Sequence, residues 1–341
     1  MPDSGSPGRP FIVPVFLPQA GCPHRCAFCD QPVITGRSRQ PPSDTDLRAQ
    51  IETFLSYRRD LSRPVEIAFF GGTFLGQPPG EIHRLLNLAG DYVRRGVVQS
   101  IRLSTRPDSV DDAGRRRLAA APVGTVELGA QSMDDRVLSA VRRGHTADDT
   151  VRAVERLRGD GYRVGLQMMV GLPGEEPSGA KWNAERIASL EPDVVRIYPT
   201  LVLEGSPLAR WTAAGRYRPL SLADAVARTR AAYQVFSKAG IPVIRMGLQP
   251  SETLEAAVVA GPFHPAFGHL VLSAVQEDRA AAVLEAAGIR GGVATLRVHP
   301  RSVARMRGDR NETVRRLRDR FDLTDLRVVP DPAVPPGRVT L

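Results

Sequence analysis

Cysteine is nearly absent from the 341-residue sequence: the three cysteines, Cys22, Cys26 and Cys29, all lie within eight residues of one another. An odd number of cysteines spaced this closely cannot form a disulfide framework, which excludes the class of small secreted proteins that disulfides stabilise. Free cysteines persist in reducing compartments. We therefore expect a protein of a reducing compartment whose cysteines act together at one site, with none left for a second such site.

Long apolar segments are also lacking. No run approaches the roughly 18 consecutive apolar residues that a membrane-spanning helix needs. Residues 1–10 are rich in Pro, Gly and Ser and contain no apolar stretch of the kind found in a secretory signal peptide. The sequence therefore predicts a flexible N-terminus, no membrane partner and a cytoplasmic location.

Lysine is scarce, although the chain is strongly basic. Lys181 and Lys238 are the only lysines among 46 basic residues, and the formal net charge is +9. Such an excess of positive charge favours an anionic partner such as nucleic acid. The arginine codons of a GC-rich genome would produce the same composition, with side chains such as Arg115 lying on solvated helix faces. Both interpretations are open at this point.

What the sequence does contain is a regular alternation of strand-like and helix-like segments. Short apolar runs predict seven strands, at 11–17, 65–70, 101–104, 125–128, 164–170, 194–198 and 241–246. Segments whose apolar residues recur every three or four positions predict helices between the strands. This alternation is typical of a parallel α/β fold, in which functional groups collect at the carboxyl ends of the strands.

The pattern changes after residue 250. A loop at 261–270 contains Pro, Gly and His264, and no further metal ligands accompany that histidine, so we expect it to pack or to contact substrate. The chain then predicts a helix, a strand, a helix and a strand, at 271–287, 292–300, 312–320 and 326–330. We therefore predict a core domain over 11–250 and a small α+β C-terminal domain over 251–341.

The three cysteines follow the first predicted strand with the spacing C-x3-C-x2-C. Three thiolates can bind three irons of a 4Fe–4S cubane and leave the fourth iron without a protein ligand. The alternative is a zinc ion with His24 as a fourth ligand. Structural zinc sites usually combine two separated pairs of ligands, whereas His24 lies inside the first loop. The spacing favours the cluster.

This spacing, with the aromatic Phe28 directly before the third cysteine, resembles the signature of the radical S-adenosylmethionine (SAM) superfamily. The resemblance implies a partial parallel (β/α)6-type barrel in which Cys22, Cys26 and Cys29 hold the 4Fe–4S cluster and SAM binds its open iron. It implies reductive cleavage of SAM to a 5′-deoxyadenosyl radical, chemistry that the cofactors supply, and an electron donor such as flavodoxin or ferredoxin. It also places Phe28 beside the SAM adenine.

Gly71, Gly72 and Thr73 follow the second predicted strand. They resemble the glycine pair that binds the SAM amino group in this superfamily. Glycine suits that task because a backbone without a Cβ lets a ligand approach closely. Gly-Gly turns are common in loops, and the position behind the cysteine loop is what gives this one its weight. The resemblance thus assigns all three residues to cofactor binding.

Val126–Ser132 together with Arg142–Thr146 is similar to a narrower branch of the superfamily, which contains the Elongator catalytic subunit and the oxygen-independent coproporphyrinogen III oxidase. The resemblance implies that Glu127 and Gln131 reach toward the ribose and methionine groups of SAM. The residues alone leave a second interpretation of Glu127, as one half of an ion pair within the barrel. His145 stands where a helix should begin, and we expect it to cap or pack there rather than to act in catalysis.

Further segments extend this likeness. Met168–Glu175 is similar to the family's turn after the fifth strand, which implies that the backbone near Gly171 meets the adenine. Thr105–Asp108, which adds Arg106 to the candidate cofactor-binding residues, and Ile197–Arg218 resemble the radical SAM domain of the Elongator catalytic subunit.

The resemblance ends near residue 250. The Elongator subunit continues into an acetyltransferase domain, for which the remaining residues are too few, and its cysteine-rich zinc segment is missing. We therefore carry over the radical SAM chemistry and not the acetyl-CoA-dependent modification of tRNA. Three functions stay open: a radical SAM enzyme acting on RNA, with tRNA as the candidate substrate; a radical SAM enzyme acting on a small molecule such as a tetrapyrrole; and a non-catalytic haem or cluster carrier.

The predicted C-terminal domain contains a strongly basic segment at 297–320. Within it, a turn that includes Arg307, Gly308 and Arg310 precedes a predicted amphipathic helix. Backbone N–H groups at such a turn can hold a phosphate. The segment is therefore a candidate RNA contact, and the alternative is a solvated helix that closes the end of the barrel.

Overall fold

A computed structural model of the protein describes residues 10–17, 21–30 and 42–341. The predicted flexible N-terminus, residues 1–10, lies outside the described residues except for Pro10. The strands are β1 (Phe11–Leu17), β2 (Val65–Gly71), β3 (Ser100–Thr105), β4 (Val123–Gln131), β5 (Arg163–Val170), β6 (Val194–Pro199), β7 (Val202–Leu203), β8 (Val243–Met246), β9 (Val258–Ala260), β10 (Val293–Val298), β11 (Asp325–Pro330) and β12 (Val339–Thr340). The α-helices are α1 (Asp44–Ser56), α2 (Pro79–Arg94), α3 (Asp112–Ala119), α4 (Asp135–Ala140), α5 (Ala147–Gly159), α6 (Gly179–Ala188), α7 (Pro207–Ala213), α8 (Leu222–Lys238), α9 (Glu252–Ala257), α10 (Phe267–Ala286), α11 (Val303–Arg307) and α12 (Glu312–Arg320).

Seven strands of the described chain form one sheet in the order β1-β2-β3-β4-β5-β6-β8, and every neighbouring pair is parallel. The sheet curls into a partial barrel with helices outside it. The predicted α/β class and partial parallel barrel are confirmed. Because all seven strands run the same way, their carboxyl ends meet at one edge, and the loops that follow β1 to β6 lie together there.

The barrel core consists of apolar side chains from the strands and from the inner faces of the helices. β2 is buried along most of its length, and Leu47 and Ile51 of α1 and Leu85 of α2 pack against the sheet without exposure to solvent. α5 begins with a capping box in which Thr146 and Asp149 satisfy each other's backbone N–H groups. That cap fixes the end of the segment that leads into α5, which bears on the site described below.

Beyond the barrel, β10 pairs in parallel with β11 and antiparallel with β12 to form a three-stranded sheet. Leu296 of this sheet packs with Leu317 and Phe321 of the α12 region in a core of its own. The short strand β9 lies just past the predicted domain boundary at residue 250, and it pairs with β7 of the predicted core domain. The predicted small α+β C-terminal element is confirmed; the boundary itself stays a prediction.

The structure differs from the sequence prediction at several elements, among them α10 and α7. α10 begins at Phe267 rather than near residue 271, because Phe267 is buried and continues the apolar spacing of the helix through Pro- and Gly-containing sequence that predicts a loop. α7 was not predicted. Its start is fixed by Ser206, whose hydroxyl accepts the N–H of Ala209 at 3.1 Å, and by Pro207 in the first turn.

Within the described ranges, the structure contains no helix that combines the length and the apolar character needed to span a bilayer.

Candidate active site

The cysteine loop leaves the carboxyl end of β1 and lies beside the turn that follows β2. Gly71 adopts a φ of 111°, and a Cβ on it would stand 2.8 Å from the backbone oxygen of Leu17. The N–H of Gly72 donates to that same oxygen at 2.9 Å. Only glycine fits this close approach at position 71. The predicted Gly71–Thr73 turn therefore lies against the end of β1, the strand that precedes the cysteine loop.

The three cysteines differ in exposure and in their partners. Cys22 is exposed, Cys26 is buried and Cys29 is half-buried. The sulfur of Cys22 is 3.3 Å from the hydroxyl of Thr73. The N–H of Cys29 donates to the backbone oxygen of Cys26 at 3.2 Å, which turns the chain between the second and third cysteines. Thr73, assigned to cofactor binding by resemblance, thus contacts a cysteine directly.

The cysteine loop is held from the other side by the turn between α4 and α5, which we call the 141–144 turn. The backbone oxygen of Val141 accepts the N–H of Ala27 at 2.9 Å. Arg143 donates its Nη1–H to the sulfur of Cys26 at 3.3 Å. Gly144, at a φ of 75°, lies against the ring of His24, which a Cβ at that position would overlap. His24 therefore packs on this turn.

Apolar contacts complete the support of the loop. Ala27 is fully buried in a cluster with Met169 of β5, and Phe28, Tyr198 and Trp211 pack against that cluster. The backbone oxygen of Ala27 also accepts the N–H at position 208 of α7, at 2.9 Å. Phe28 thus lies among aromatic and thioether side chains next to the cysteines, the position from which its predicted contact with the adenine would be made.

Glu127 of β4 lies at the centre of a buried network of charges. Its carboxylate accepts Arg196 Nε–H at 2.6 Å and Nη2–H at 2.9 Å, Arg102 Nη1–H at 2.9 Å and Gln167 Nε2–H at 2.9 Å. Burial alone would raise the pKa of Glu127, but attraction and hydrogen bonding from Arg196, followed by Arg102 and Gln167, hold that pKa below its ordinary value. Arg102 also binds Glu66 at 2.7 Å. The ion pair that the sequence left open for Glu127 is present, and a contact with SAM stays a prediction.

Some of the buried polar atoms that lack a partner among the described residues lie where β3 and β4 end. Arg106 binds Asp108 through two hydrogen bonds of 2.9 Å, yet its Nη1 has no partner among the described residues. The same holds for the Oε1 atom of Gln131 and for Nε of Arg143. Gln131 also adopts a φ of 68°, which is uncommon outside glycine. Buried polar atoms are normally hydrogen-bonded, so unsatisfied ones call for a specific explanation. A polar ligand next to the cysteine loop would supply that explanation.

His145 is buried behind the 141–144 turn. Its Nε2–H donates to the backbone oxygen of Ala130 at 3.2 Å, while Nδ1 has no partner within the described chain. Burial, reinforced by the positive charges of Arg143 and Arg106, lowers the pKa of His145 to about 3. The imidazole is therefore neutral at physiological pH. This placement agrees with the packing role expected from the sequence.

Gly171 lies where β5 ends, with both backbone groups engaged by side chains. Its N–H donates to the carboxylate of Glu175 at 3.0 Å, and its oxygen accepts the hydroxyl of Tyr217 at 2.6 Å. Glu175 is paired with Arg228 at 3.3 Å, and its burial raises its pKa. Gly171 is thus part of a fixed turn at the same edge as the cysteine loop, and its contact with adenine stays a prediction.

The side chains that could bind a metal limit what the cysteines can hold. In the part of the chain that the structure describes, no three His, Cys, Asp or Glu side chains converge on a point that one metal ion could occupy. A cubane makes a different demand, because its three thiolates bind three separate irons. The three thiol side chains suit an iron–sulfur cluster, and Arg143 directs an N–H at the buried Cys26. The unsatisfied polar atoms nearby suit a polar ligand bound beside that cluster.

Arg143 is the functional candidate that sequence reasoning missed. The family resemblance covers Arg142–Thr146 but implies no role for Arg143. The contact between Arg143 and Cys26 joins residues 117 positions apart, so spacing along the chain does not indicate it.

Comparison with known proteins supports the class that this fold and site define. The family model of the radical SAM superfamily matches residues 16–181, and that of the radical SAM C-terminal domain matches residues 192–277. The chain belongs to the radical SAM superfamily, whose members are expected to bind a 4Fe–4S cluster and SAM.

Within the superfamily, relatives of the predicted branch are found. The chain is 29% identical over 242 residues to the tRNA uridine(34) acetyltransferase of Dehalococcoides mccartyi, covering 61% of this chain and 52% of that one. It is 27% identical over 186 residues to the heme chaperone HemW of Lactococcus lactis, covering 54% and 47%. The solved structure of an N-terminally deleted Elp3 from the archaeon Methanocaldococcus infernus superposes with a TM-score of 0.61 at 21% identity, over 79% of this chain and 63% of that one, which shows a shared fold. The chain spans about half the length of the curated relatives it matches.

Proposed function

We propose that the protein is a radical SAM enzyme whose cluster is held by Cys22, Cys26 and Cys29, with tRNA as its substrate. The observation that carries the proposal is the cysteine loop at the carboxyl edge of the barrel, where Arg143 donates to the buried Cys26 and unsatisfied polar atoms lie alongside. The cluster, when bound, supplies one electron to the sulfonium of SAM, which yields methionine and a 5′-deoxyadenosyl radical. Cytoplasmic location fits this oxygen-sensitive chemistry.

The residues of the site have different roles: some bind the cluster or SAM, and others exclude water. Thr73 orients Cys22, and Arg143 directs a positive charge and an N–H at the sulfur of Cys26. Gln131 Oε1 and Arg143 Nε offer an acceptor and a donor for the polar groups of SAM. Phe28, with its apolar neighbours, offers a surface for the adenine and excludes water from the reacting centre.

Arg106 and the Gly71–Gly72 turn complete the set of groups that we assign to SAM. The Nη1 of Arg106 is buried and unsatisfied at the end of β3, and it would bind a carboxylate or hydroxyl oxygen. Because the N–H of Gly72 is already used by Leu17, the turn can contribute backbone oxygens, which suit the amino group of SAM. The N–H and the oxygen of Gly171 are both engaged, so this residue would meet the adenine through its Cα.

tRNA is supported as the substrate by two independent points. The relative from Dehalococcoides mccartyi is named a tRNA uridine(34) acetyltransferase, and the formal charge of +9 suits a polyanionic substrate. Acetyl transfer is not part of the proposal. A second candidate, handling of haem or another tetrapyrrole, is favoured by the similarity to a heme chaperone.

The experiment is anaerobic reconstitution with iron and sulfide, followed by incubation with SAM and dithionite. We expect about four irons per chain and release of 5′-deoxyadenosine and methionine. Cys26→Ala should abolish cleavage, whereas Arg136→Ala, which alters an exposed arginine of α4, should not. One zinc per chain without sulfide would contradict the cluster. Cluster-loaded protein that binds haem tightly and never cleaves SAM, even with RNA present, would favour the carrier function.

The substrate has its own test. Nucleosides of tRNA from a strain lacking the protein should lack one modification, detected by mass spectrometry, and the purified enzyme should restore it. Unchanged tRNA together with an altered tetrapyrrole pool would move the substrate to the second candidate.

A further inference from the structure

One side of the cysteine loop faces solvent. Cys22, Pro23, His24 and Arg25 are all exposed, whereas Cys26 and Ala27 are buried against the barrel. The loop therefore presents its first half outward and its second half inward. The outward half is the part of the cluster-binding loop that another molecule can reach.

Two positive charges on this side have no ion-pair partner among the described residues. Arg25 is in the loop itself. Arg142 belongs to the 141–144 turn, and Gly144 of that turn packs against the ring of His24. Neither guanidinium makes an ion pair with a carboxylate in the described ranges, although many other arginines of the chain do. We call the exposed surface of Pro23, His24, Arg25 and Arg142 the cysteine-loop face.

Contacts within the protein fix the position of Arg142. Its φ is 56°, in the left-handed region that non-glycine residues seldom adopt. Its guanidinium lies over the ring of Trp211 with 5.5 Å between Cζ and the ring centroid. Such a strained backbone persists only where surrounding contacts determine it. A fixed, exposed cation that no described carboxylate pairs, lying next to a cysteine loop, points to a partner rather than to internal stability.

We propose that the cysteine-loop face is the docking surface of an acidic protein that carries one electron at a time, such as a flavin- or iron–sulfur-containing carrier. This inference rests on the proposed function, since the reaction needs an electron from outside the chain. Opposite charges steer two proteins together and raise the association rate. Electron-transfer complexes are small, below about 1,200 Å² of buried surface, so a face of a few residues is sufficient.

The electron balance is simple. The reduced carrier loses one electron and the cluster gains one; no bond is formed or broken in the transfer. The cysteine-loop face does not include Cys22, so docking there leaves Cys22 beside Thr73, together with Cys26 and Phe28, free for SAM and substrate.

The test is stopped-flow reduction of the reconstituted cluster, followed by its absorbance, with dithionite-free flavodoxin hydroquinone as the donor. We expect Arg25→Glu and Arg142→Glu each to lower the second-order rate constant at least about tenfold at low salt, because charge governs steering. They should also reduce the dependence of the rate on ionic strength. Reduction by dithionite, a small donor, should keep its rate, and iron content should be unchanged.

Two controls separate charge from folding. Arg142→Lys keeps the charge and should retain a near wild-type rate with flavodoxin. Arg59→Glu changes an exposed arginine between α1 and β2, at the opposite edge of the barrel, and should have little effect. The proposal is overturned if both loop-face variants react with flavodoxin at the wild-type rate. It is equally overturned if Arg142→Lys is as slow as Arg142→Glu, or if dithionite slows in parallel. Absence of a cluster in the wild-type protein would instead contradict the proposed function.

Discussion

The guanidinium of Arg143 bridges the cysteine loop and the sheet: Nη1–H points to the sulfur of Cys26 at 3.3 Å, and Nη2–H donates to the backbone oxygen of Gly129 at 2.6 Å. The sheet thereby fixes a positive charge against the buried sulfur of Cys26. Hydrogen bonds to the sulfur ligands and local net charge are among the factors that set the reduction potential of iron–sulfur clusters.

Replacing Arg143 should therefore lower the reduction potential of the reconstituted cluster. The reduced cluster carries one more negative charge than the oxidised one, so loss of the cation destabilises the reduced state. We expect Arg143→Met to shift the potential by about −60 mV, which is a tenfold change in a one-electron equilibrium. A redox titration monitored by electron paramagnetic resonance measures it. Arg136→Met is the matched control, and an unaltered potential in Arg143→Met would contradict the role assigned to this contact.

Glu127 should prove important for stability. Glu127→Ala removes the carboxylate that neutralises Arg196 and shares Arg102, and breaking a buried pair costs about 3–5 kcal/mol because a charge is left uncompensated. We expect a fall of that order in the free energy of unfolding, measured by urea denaturation of the protein without cluster. Glu185→Ala, which breaks an exposed pair with Lys181, should change it by less than about 1 kcal/mol. If Glu127→Ala retains wild-type stability and only SAM binding weakens, the direct SAM contact implied by the family resemblance is favoured instead.

These residues show what the sequence could and could not predict. The seven strands of the barrel were predictable because each is a short, mostly apolar run that ends at glycine, proline or polar residues, and the cysteine spacing indicated the cluster chemistry without any structure. Arg143 and the pairing of β9 with β7 were not predictable, because they depend on contacts between residues far apart in the chain. The partners of Glu127 come from β3, β5 and β6, and which of their side chains reach it depends on the strand register.

Acid should destabilise the protein through His145. With a folded-state pKa of about 3 against about 6.5 in the unfolded chain, the unfolded state binds the extra proton between these values. The contribution of His145 to the free energy of unfolding is therefore complete above about pH 6.5, and it is lost as the pH falls toward 3. The limiting slope for one such group is about 1.4 kcal/mol per pH unit. The lowered pKa of Glu127 contributes a loss only below its ordinary value of 4.5.

Urea denaturation at several pH values between 7 and 5 measures this slope. His145→Gln, which keeps a side-chain N–H able to donate to Ala130, should flatten it. His83→Gln on α2, at an exposed position, should leave the slope as in the wild type. Equal slopes in His145→Gln and the wild type would mean that another group titrates over this interval.

We predict that the C-terminal region contacts RNA through a surface separate from the barrel. Arg307 and Arg310 flank Gly308 in the turn before α12, and both are exposed and without an ion pair among the described residues. Arg316 and Arg320 of α12 are different, because they pair with Glu277 and Glu312 and with Glu285, respectively. The unpaired arginines can bind phosphate, whereas the paired ones are already neutralised.

Filter binding of tRNA over a salt series distinguishes these two pairs. Each phosphate contact contributes close to one unit to the slope of log affinity against log salt concentration. We expect the double change Arg307→Ala and Arg310→Ala to reduce that slope by about 2, because two contacts are lost together with the counterions they release. The matched double change Arg316→Ala and Arg320→Ala should leave it nearly unaltered. A slope that stays the same in the first double variant, or falls equally in the second, would identify α12 as a solvated helix and leave RNA binding to the barrel.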